Sequence, residues 1–480
     1  MSRTCAINRI FSMRSFALVS LTLLLLVVGC SFAPEYRPPQ MNLPEAYQGD
    51  GPWQAATPKD DIARGDWWTI FGDPELDRLE ELALSGNPGL QVALARLQQA
   101  RAALGVSRSG YYPKLELNPG SVRSRTSADF TSSGEPEYST VIDLPLDLAY
   151  EIDLWGRVRN TARAAEAAAD AQTADYRTAL LSLQVEVARS WFALRALDSE
   201  LALLERTTAL RRDNLKLVRS RFEAGESGKI DLSRAETELN SAEIEAREVA
   251  RRRQLLQHSL AELVGQPASD FTIPSLPLDL APPDIAPGVP TTLLERRPDV
   301  AAAERRMAAA NADIGIARAA FFPSITLFGS AGFRSAEAAD LFKSNNQTWA
   351  IGPNISLPIF KGGRNRANLK GAWAAWDEAV AGYRQTVLGA IGEVEDSLSN
   401  LHFYQAQAGL LQAAIKSSGQ AAELSRKRYR AGLVSYLEVV DTERTMLQFQ
   451  RQAARILGQQ LETSTFLVKA IGGGWKQEIE

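Results

Sequence analysis

The chain predicts a mainly α-helical protein with a shorter β part, built from two copies of one unit. Three observations carry that expectation. All 23 prolines lie at or before Pro145 or between Pro267 and Pro358, which leaves 146–266 and 359–480 free of proline. Helix interiors tolerate almost no proline, so these windows of 121 and 122 residues each suit long helices. The second observation is an internal repeat. Asn87-Pro88 through Leu117 matches Arg297-Pro298 through Leu327 at an offset of 210, with Tyr111-Tyr112-Pro113 on Phe321-Phe322-Pro323. Further on the offset becomes 207, aligning Gly156-Arg157 with Gly363-Arg364 and Ala224-Gly225 with Ala431-Gly432. The third is strict alternation of apolar and polar residues after Ile142 and after Trp349, a period that strands show and helices do not.

The N-terminus reads as an address. Arg3, Arg9 and Arg14 precede an apolar run from Phe16 to Val28 that ends in Gly29-Cys30. That run is a secretory leader, too short for a mature membrane helix. Leu26-Val27-Val28-Gly29-Cys30 resembles the bacterial lipobox, so cleavage after residue 29 would leave Cys30 as an acylated first residue. Ser31 is compatible with delivery to the outer membrane. Processing removes three arginines and no acids, which takes the net charge from −4 to −7 (50 basic, 57 acidic). Residues 30–73 hold six prolines and read as an extended arm, docked by Trp67-Trp68.

The first repeat, 74–266, is expected to open with a helix over 88–110 and to continue with two strands within about 114–154. A helical hairpin over 157–264 closes it. In the clearest strand, Ile142, Leu144, Leu146, Leu148, Tyr150, Ile152 and Leu154 alternate with Asp143, Asp147, Glu151 and Asp153 among others. Leu183, Val187, Leu194, Leu197, Leu201 and Leu204 then recur at coiled-coil spacing. Residues 267–296 connect the halves. The second repeat, 297–471, shows the same order, with strands within about 324–360 and a hairpin over 364–470. A tail, 472–480, follows. The slip from 210 to 207 implies three extra residues in the first half between Pro113 and Leu144, expected in a longer loop.

Composition excludes several functions. A near-neutral balance of 53 basic and 57 acidic residues offers no basic stripe for nucleic acid. Two cysteines cannot staple a scaffold, and two histidines, His258 and His402, sit in polar helical windows as surface residues rather than ligands. Gly472-Gly473-Gly474 follows no strand and is a helix breaker rather than a phosphate loop. No catalytic constellation, cofactor site or metal site is expected, and the protein reads as no enzyme.

The strands say what the helices are for. They are long enough to cross a membrane at a tilt, with an unbroken apolar face and an acidic one. Four strands cannot close a barrel, and an open sheet edge cannot sit in lipid. Three chains would supply twelve strands, the smallest such multiple with an aqueous lumen. A tether with no pore would use the helices but leave the strands and the duplication without a role.

The mature chain resembles the TolC-like outer-membrane efflux factors, in particular the NodT-type lipoprotein branch. The resemblance rests on Gly29-Cys30 with Phe32-Ala33-Pro34-Glu35-Tyr36, and on Asp66-Trp67-Trp68 with Phe71-Gly72-Asp73-Pro74. Asn87-Pro88, both aromatic-aromatic-Pro motifs and the tips at Ala224-Gly225 and Ala431-Gly432 complete it. It implies a homotrimer with a twelve-stranded β-barrel in outer-membrane lipid, continuous with a long periplasmic α-helical barrel. The implied partners are a periplasmic adaptor and an inner-membrane pump of the resistance-nodulation-division (RND) type, and the implied role is efflux of small toxic compounds. The runner-up is the duct of a type I protein or peptide secretion system. By position, the resemblance makes Leu437 an apolar gate ring and Asp441 an acidic ring, with Glu438 a second acid one turn away. It also assigns adaptor contact to Ala224, Gly225 and Glu226 on the first tip and to Ala431, Gly432 and Leu433 on the second. The bland reading pairs Glu438 and Asp441 with Arg430 or Arg444 along the helix surface.

Overall fold

The computed structural model describes residues 31–39, 41, 65–283, 285 and 296–473. The expected leader and the acylated Cys30 lie outside the described residues. So do residues 40 and 42–64 of the arm, 284 and 286–295 of the connection, and 474–480 of the tail. Seven α-helices and five strands are described. The helices are α1 (Pro74–Gly86), α2 (Pro88–Ser109), α3 (Arg157–Glu223), α4 (Lys229–Leu263), α5 (Pro298–Ala319), α6 (Arg364–Arg430) and α7 (Tyr436–Ala470). The strands are β1 (Lys114–Leu117), β2 (Gly120–Thr126), β3 (Glu137–Ile152), β4 (Ser324–Ser335) and β5 (Gln347–Ser356). The protein is mainly helical with a smaller sheet. Corresponding long helices have identical lengths, 67 residues for α3 and α6 and 35 for α4 and α7.

The chain divides into two compact units, each drawing on both repeats. Of the described residues, the first holds 31–39, 97–172 and 303–383, and with them the whole sheet. All strands are antiparallel, in the order β1, β3, β4, β5, with β2 also on β3. The pairing sets the faces, because Cα partners project to the same side. Leu115, Leu117, Leu144, Leu146, Leu148 and Ile152 share one face with Ile325, Leu327, Ile351 and Ile355. Asp143, Asp147 and Glu151 share the other with Thr326, Ser330, Arg334 and Asn354. On that polar face Arg334 pairs with Asp143, and Asn118 donates to Asp147 Oδ2 at 2.9 Å. Among the described residues both outer edges, β1–β2 and β5, are unpaired.

Three features differ from the expectation. The first arm of the first hairpin is interrupted, because Pro119 and Pro145 both lack the N–H that a ladder needs. The register survives the gap, since Leu117↔Leu146 and Gly120↔Asp143 keep one alignment. Instead of a longer loop, the first half has each paired arm three residues longer, 13 against 10, and its loop three residues shorter, 10 against 13. Pairing there runs from Lys114↔Ala149 to Thr126↔Glu137, against Ser324↔Ser356 to Phe333↔Gln347 in the second half. Finally, β3 stops at Ile152, short of Leu154. Asp153 accepts instead from the backbone N–H groups of Val158 and Arg159 (both 2.9 Å), satisfying the first turn of α3.

In the same unit the start of the arm lies across the ends of the strands. Phe32 stacks on Phe322 at 4.5 Å, and Trp155 stacks on Phe322 at 5.0 Å. Arg318 Nη1 donates to the Phe32 carbonyl (3.1 Å) and Asn311 to that of Pro34 (2.9 Å).

Of the described residues, the second unit holds 41, 65–96, 173–283, 285, 296–302 and 384–473. Its core packs Trp67, Phe71, Leu76 and Leu79 with Trp191, Phe192, Leu260 and Leu461. Helix α1, which the sequence reading did not anticipate, starts at an Asp-Pro pair. Asp73 Oδ1 accepts from the N–H groups of Glu75 and Leu76, while its Oδ2 accepts from the buried indole of Trp191 at 2.8 Å. Trp67 is fully buried and donates to Gln184 at 3.0 Å, which docks the arm. The duplication persists in the joints. Asn87 donates to the Leu263 carbonyl (2.8 Å), and Arg297, at the matching place, donates to that of Ala470 (3.0 Å). Among the described residues no helix is long and apolar enough to cross a membrane.

Candidate functional site: the two helical tips

Both hairpins turn in the same way. At the first tip the N–H of Gly225 bonds to the Phe222 carbonyl (3.0 Å), and that of Glu226 to the Arg221 carbonyl (2.8 Å). At the second, Gly432 bonds to Tyr429 (3.0 Å) and Leu433 to Arg428 (2.9 Å). These paired bonds close a Schellman motif whose residue just past the helix must be left-handed. Gly225 and Gly432 both have φ of 76°. The sequence Ala-Gly at each break is therefore a geometric requirement.

Below the turns an apolar cluster joins the two hairpins: Val218 and Ala235 from the first, Tyr429, Tyr436, Val439 and Val440 from the second. Tyr436 is 2% exposed, and its phenol is pushed up to about 12 by burial and by the nearby Glu443. Arg221 crosses between the tips, donating to the carbonyls of Tyr429 (3.0 Å) and Arg430 (2.9 Å) with its guanidinium over the Tyr429 ring. Arginine suits this role because its planar fork serves two acceptors and still stacks.

The candidate gate residues lie on the first turns of α7. Leu437 is half-exposed, and Glu438 and Asp441 are exposed, while their neighbours Val439 and Val440 are buried in the cluster. Helical spacing thus separates a packed face from a free one carrying all three. The pairing suggested by the bland reading does not form. Arg444 is engaged by the carboxylate of Glu238, and Glu438 instead forms an ion pair with Arg428, at 3.8 Å. Among the described residues the Asp441 side chain has no hydrogen bond or ion pair. The six tip residues Ala224, Gly225, Glu226, Ala431, Gly432 and Leu433 are all exposed. His258 and His402 are exposed as well.

Sequence reasoning missed a ladder of buried ion pairs next to these residues. Glu238, on α4, takes Arg211 from α3 and Arg444 from α7. Glu443 faces Asn214 (3.3 Å) and Arg426 (3.7 Å); burial pushes its carboxyl up, against the pull of Arg211 and Arg426. Further along, Glu200 is fully buried with Arg451 (2.6 Å) and Arg455 (2.8 Å). Burial alone would raise its carboxyl, but the two guanidiniums outweigh it and hold it below the usual value. The residues were visible, but their partners depend on how helices distant in sequence are rotated against one another. Arginines on one helical face of α7, at Arg444, Arg451 and Arg455 with spacings of seven and four, were the available signal.

The comparisons with known proteins agree with this architecture. The profile of the family described as "Outer membrane efflux protein" matches residues 79–266 and 289–473, one stretch per repeat. The outer membrane protein OprJ of Pseudomonas aeruginosa is 34% identical over 96% of this chain and 97% of its own. The toluene efflux pump outer membrane protein TtgI of Pseudomonas putida is 32% identical over 94% of this chain and 97% of its own. In the solved structures, the open state of the Neisseria gonorrhoeae MtrE outer membrane channel superposes with a TM-score of 0.83. It is 31% identical and covers 93% of this chain and 98% of its own. With the duplicated hairpins, the two-faced sheet and relatives along nearly its whole length, the chain belongs to the outer membrane efflux protein family.

Proposed function

We propose that three copies of this chain form the outer-membrane exit duct of a tripartite efflux system. One observation carries the reading: a four-armed sheet, apolar on one face and polar on the other, with both edges unpaired among the described residues. Such a sheet satisfies its backbone in lipid only by joining further copies edge to edge. Three copies close a barrel of twelve strands, with the apolar face toward outer-membrane lipid and the acids toward a water-filled lumen. The paired hairpins of the three chains then form the periplasmic α-barrel. Acylated Cys30 tethers the arm 30–73, and the repeats 74–266 and 297–471 are the working parts. A periplasmic adaptor docks on the tips at Ala224–Glu226 and Ala431–Leu433, and an RND pump in the inner membrane supplies the energy. The cargo is small toxic molecules, the class to which the toluene named for TtgI belongs. Leu437 narrows the periplasmic mouth as an apolar ring, and Glu438 and Asp441 add acidic rings that favour cations.

The test of the membrane sheet places single cysteines on its two faces in lipid vesicles. A water-soluble maleimide should label Asn354→Cys and spare Ile351→Cys until detergent is added. Equal labelling of both would overturn the barrel. For the gate, Leu437→Ala with Asp441→Ala should raise single-channel conductance; an unchanged conductance removes both from the constriction. Deleting the gene should sensitise cells to several unrelated toxic compounds.

A further inference from the structure

The apolar face of the sheet does not stay apolar to its end. Arg123 and Arg125 lie on it, in register with Thr140 and Tyr138. They continue the row that begins with Leu115 and Leu117. Both are exposed, and their guanidiniums lie 6.0 and 5.8 Å from the Tyr138 ring. No strand residue on this face is acidic: β3 contributes Tyr138, Thr140 and Ile142 nearby, and β4 and β5 contribute Phe333, Ser335, Gln347 and Trp349. The opposite face differs, because its Arg334 is neutralised by Asp143. Two cations therefore stand on a face that offers them no anion.

Their depth fits a headgroup. Ten residues separate Leu115 from Arg125, which is about 33 Å of strand at ~3.3 Å per residue. At a barrel tilt of ~40° that is about 25 Å of depth, the height of the apolar band of such barrels. Arg123 and Arg125, two residues apart on one face, stand about 7 Å from each other. Tyr138 lies beside them as an interfacial aromatic would. A guanidinium fork matches the oxygens of a phosphate.

We propose that Arg123 and Arg125, flanking Tyr138, bind the phosphate groups of an anionic lipid in the outer leaflet. The site rests on the membrane reading of the sheet given above. It would anchor the hairpin of the first repeat to its surrounding lipid. The second repeat lacks the feature, since the residues of β4 on this face are Phe333 and Ser335.

The experiment uses the full chain reconstituted into phosphatidylcholine nanodiscs, with fluorescent bisphosphorylated lipid A as the probe. The wild type should enrich the probe around itself, and Arg123→Gln with Arg125→Gln should weaken that enrichment about tenfold or more. Arg123→Lys with Arg125→Lys should keep most of it, and Arg334→Gln on the other face should leave it unchanged. Lipid A stripped of its phosphates should bind the wild type no better than the double Gln variant binds the intact probe. Equal enrichment by wild type and double Gln variant overturns the site, as does indifference of the wild type to the phosphates. Labelling of Ile351→Cys in the same discs separates the two failures. If Ile351→Cys is protected while the arginines have no effect, the headgroup site falls and the membrane sheet stands. If it labels freely, the membrane reading falls and takes the site with it.

Discussion

The two helical tips share a backbone and differ in charge. Their turns match in φ and in both closing hydrogen bonds, and the helices on either side have equal lengths. At the offset of 207, however, Leu437, Glu438 and Asp441 fall on Ile230, Asp231 and Arg234. The first tip neutralises itself, with Asp231 3.7 Å from Arg234 and held by the Ser227 hydroxyl. The second places acids at both matching positions: Glu438, 3.8 Å from Arg428, and Asp441, which has no partner among the described residues. A duplicated unit has thus kept the geometry that closes the turn and let the exposed face of one copy acquire a charge. Backbone geometry constrains both copies alike, whereas their exposed faces are free to differ.

Predictions that break this comparison rank by size. The largest effect should come from the ion pairs that bind the unlike copies. Glu238→Ala leaves Arg211, almost fully buried, without its anion, and should cost about 3–5 kcal/mol. Thermal unfolding in detergent would read this, and a Tm shift no greater than that of a surface substitution would refute it. Next come the turns. Gly225→Ala and Gly432→Ala each force a left-handed alanine, at about 1–2 kcal/mol, and the two costs should agree if the tips are equivalent. Smaller still is the effect of Asp441→Arg, which writes the first repeat's residue into the second. It should lower cation selectivity, read as a shift of reversal potential toward zero, while Arg234→Asp should change it much less.

The last prediction concerns pH. Glu200 is held below its ordinary value, so its contribution is complete above about pH 4.5 and fades as the pH falls through the folded-state value. Glu200→Gln should therefore flatten the acid limb of a Tm-against-pH curve. Glu443 carries the opposite sign. Its raised carboxyl contributes most at low pH and loses that contribution as the pH rises, which offsets part of the acid limb, so Glu443→Gln should steepen that limb.

The helices were legible because their signals are local. Proline and glycine mark where a helix cannot continue, and α3 and α6 end at Glu223 and Arg430, two residues before Gly225 and Gly432. The faces of the sheet were legible for the same reason, through period-two alternation. Helix α1 was overlooked although Asp73-Pro74 is a capping signal, since the prolines before it made the stretch read as irregular. The ion-pair ladder was not legible. Glu238 and Arg444 lie 206 residues apart, and only packing sets which face of α7 meets α4. Nor could alternation alone foresee that Pro119 would break a strand without shifting its register.

The two open edges of the sheet have a consequence for how the protein is made. Each hairpin of helices can reach its packed state within one chain, from contacts that chain already owns. In the proposed trimer the edges β1–β2 and β5 cannot, because another copy would supply their missing donors and acceptors. Completion of the sheet is then a reaction whose order exceeds one, with a rate that climbs with the local concentration of newly delivered chains. A tether that confines those chains to a surface would raise that concentration before any strand has paired.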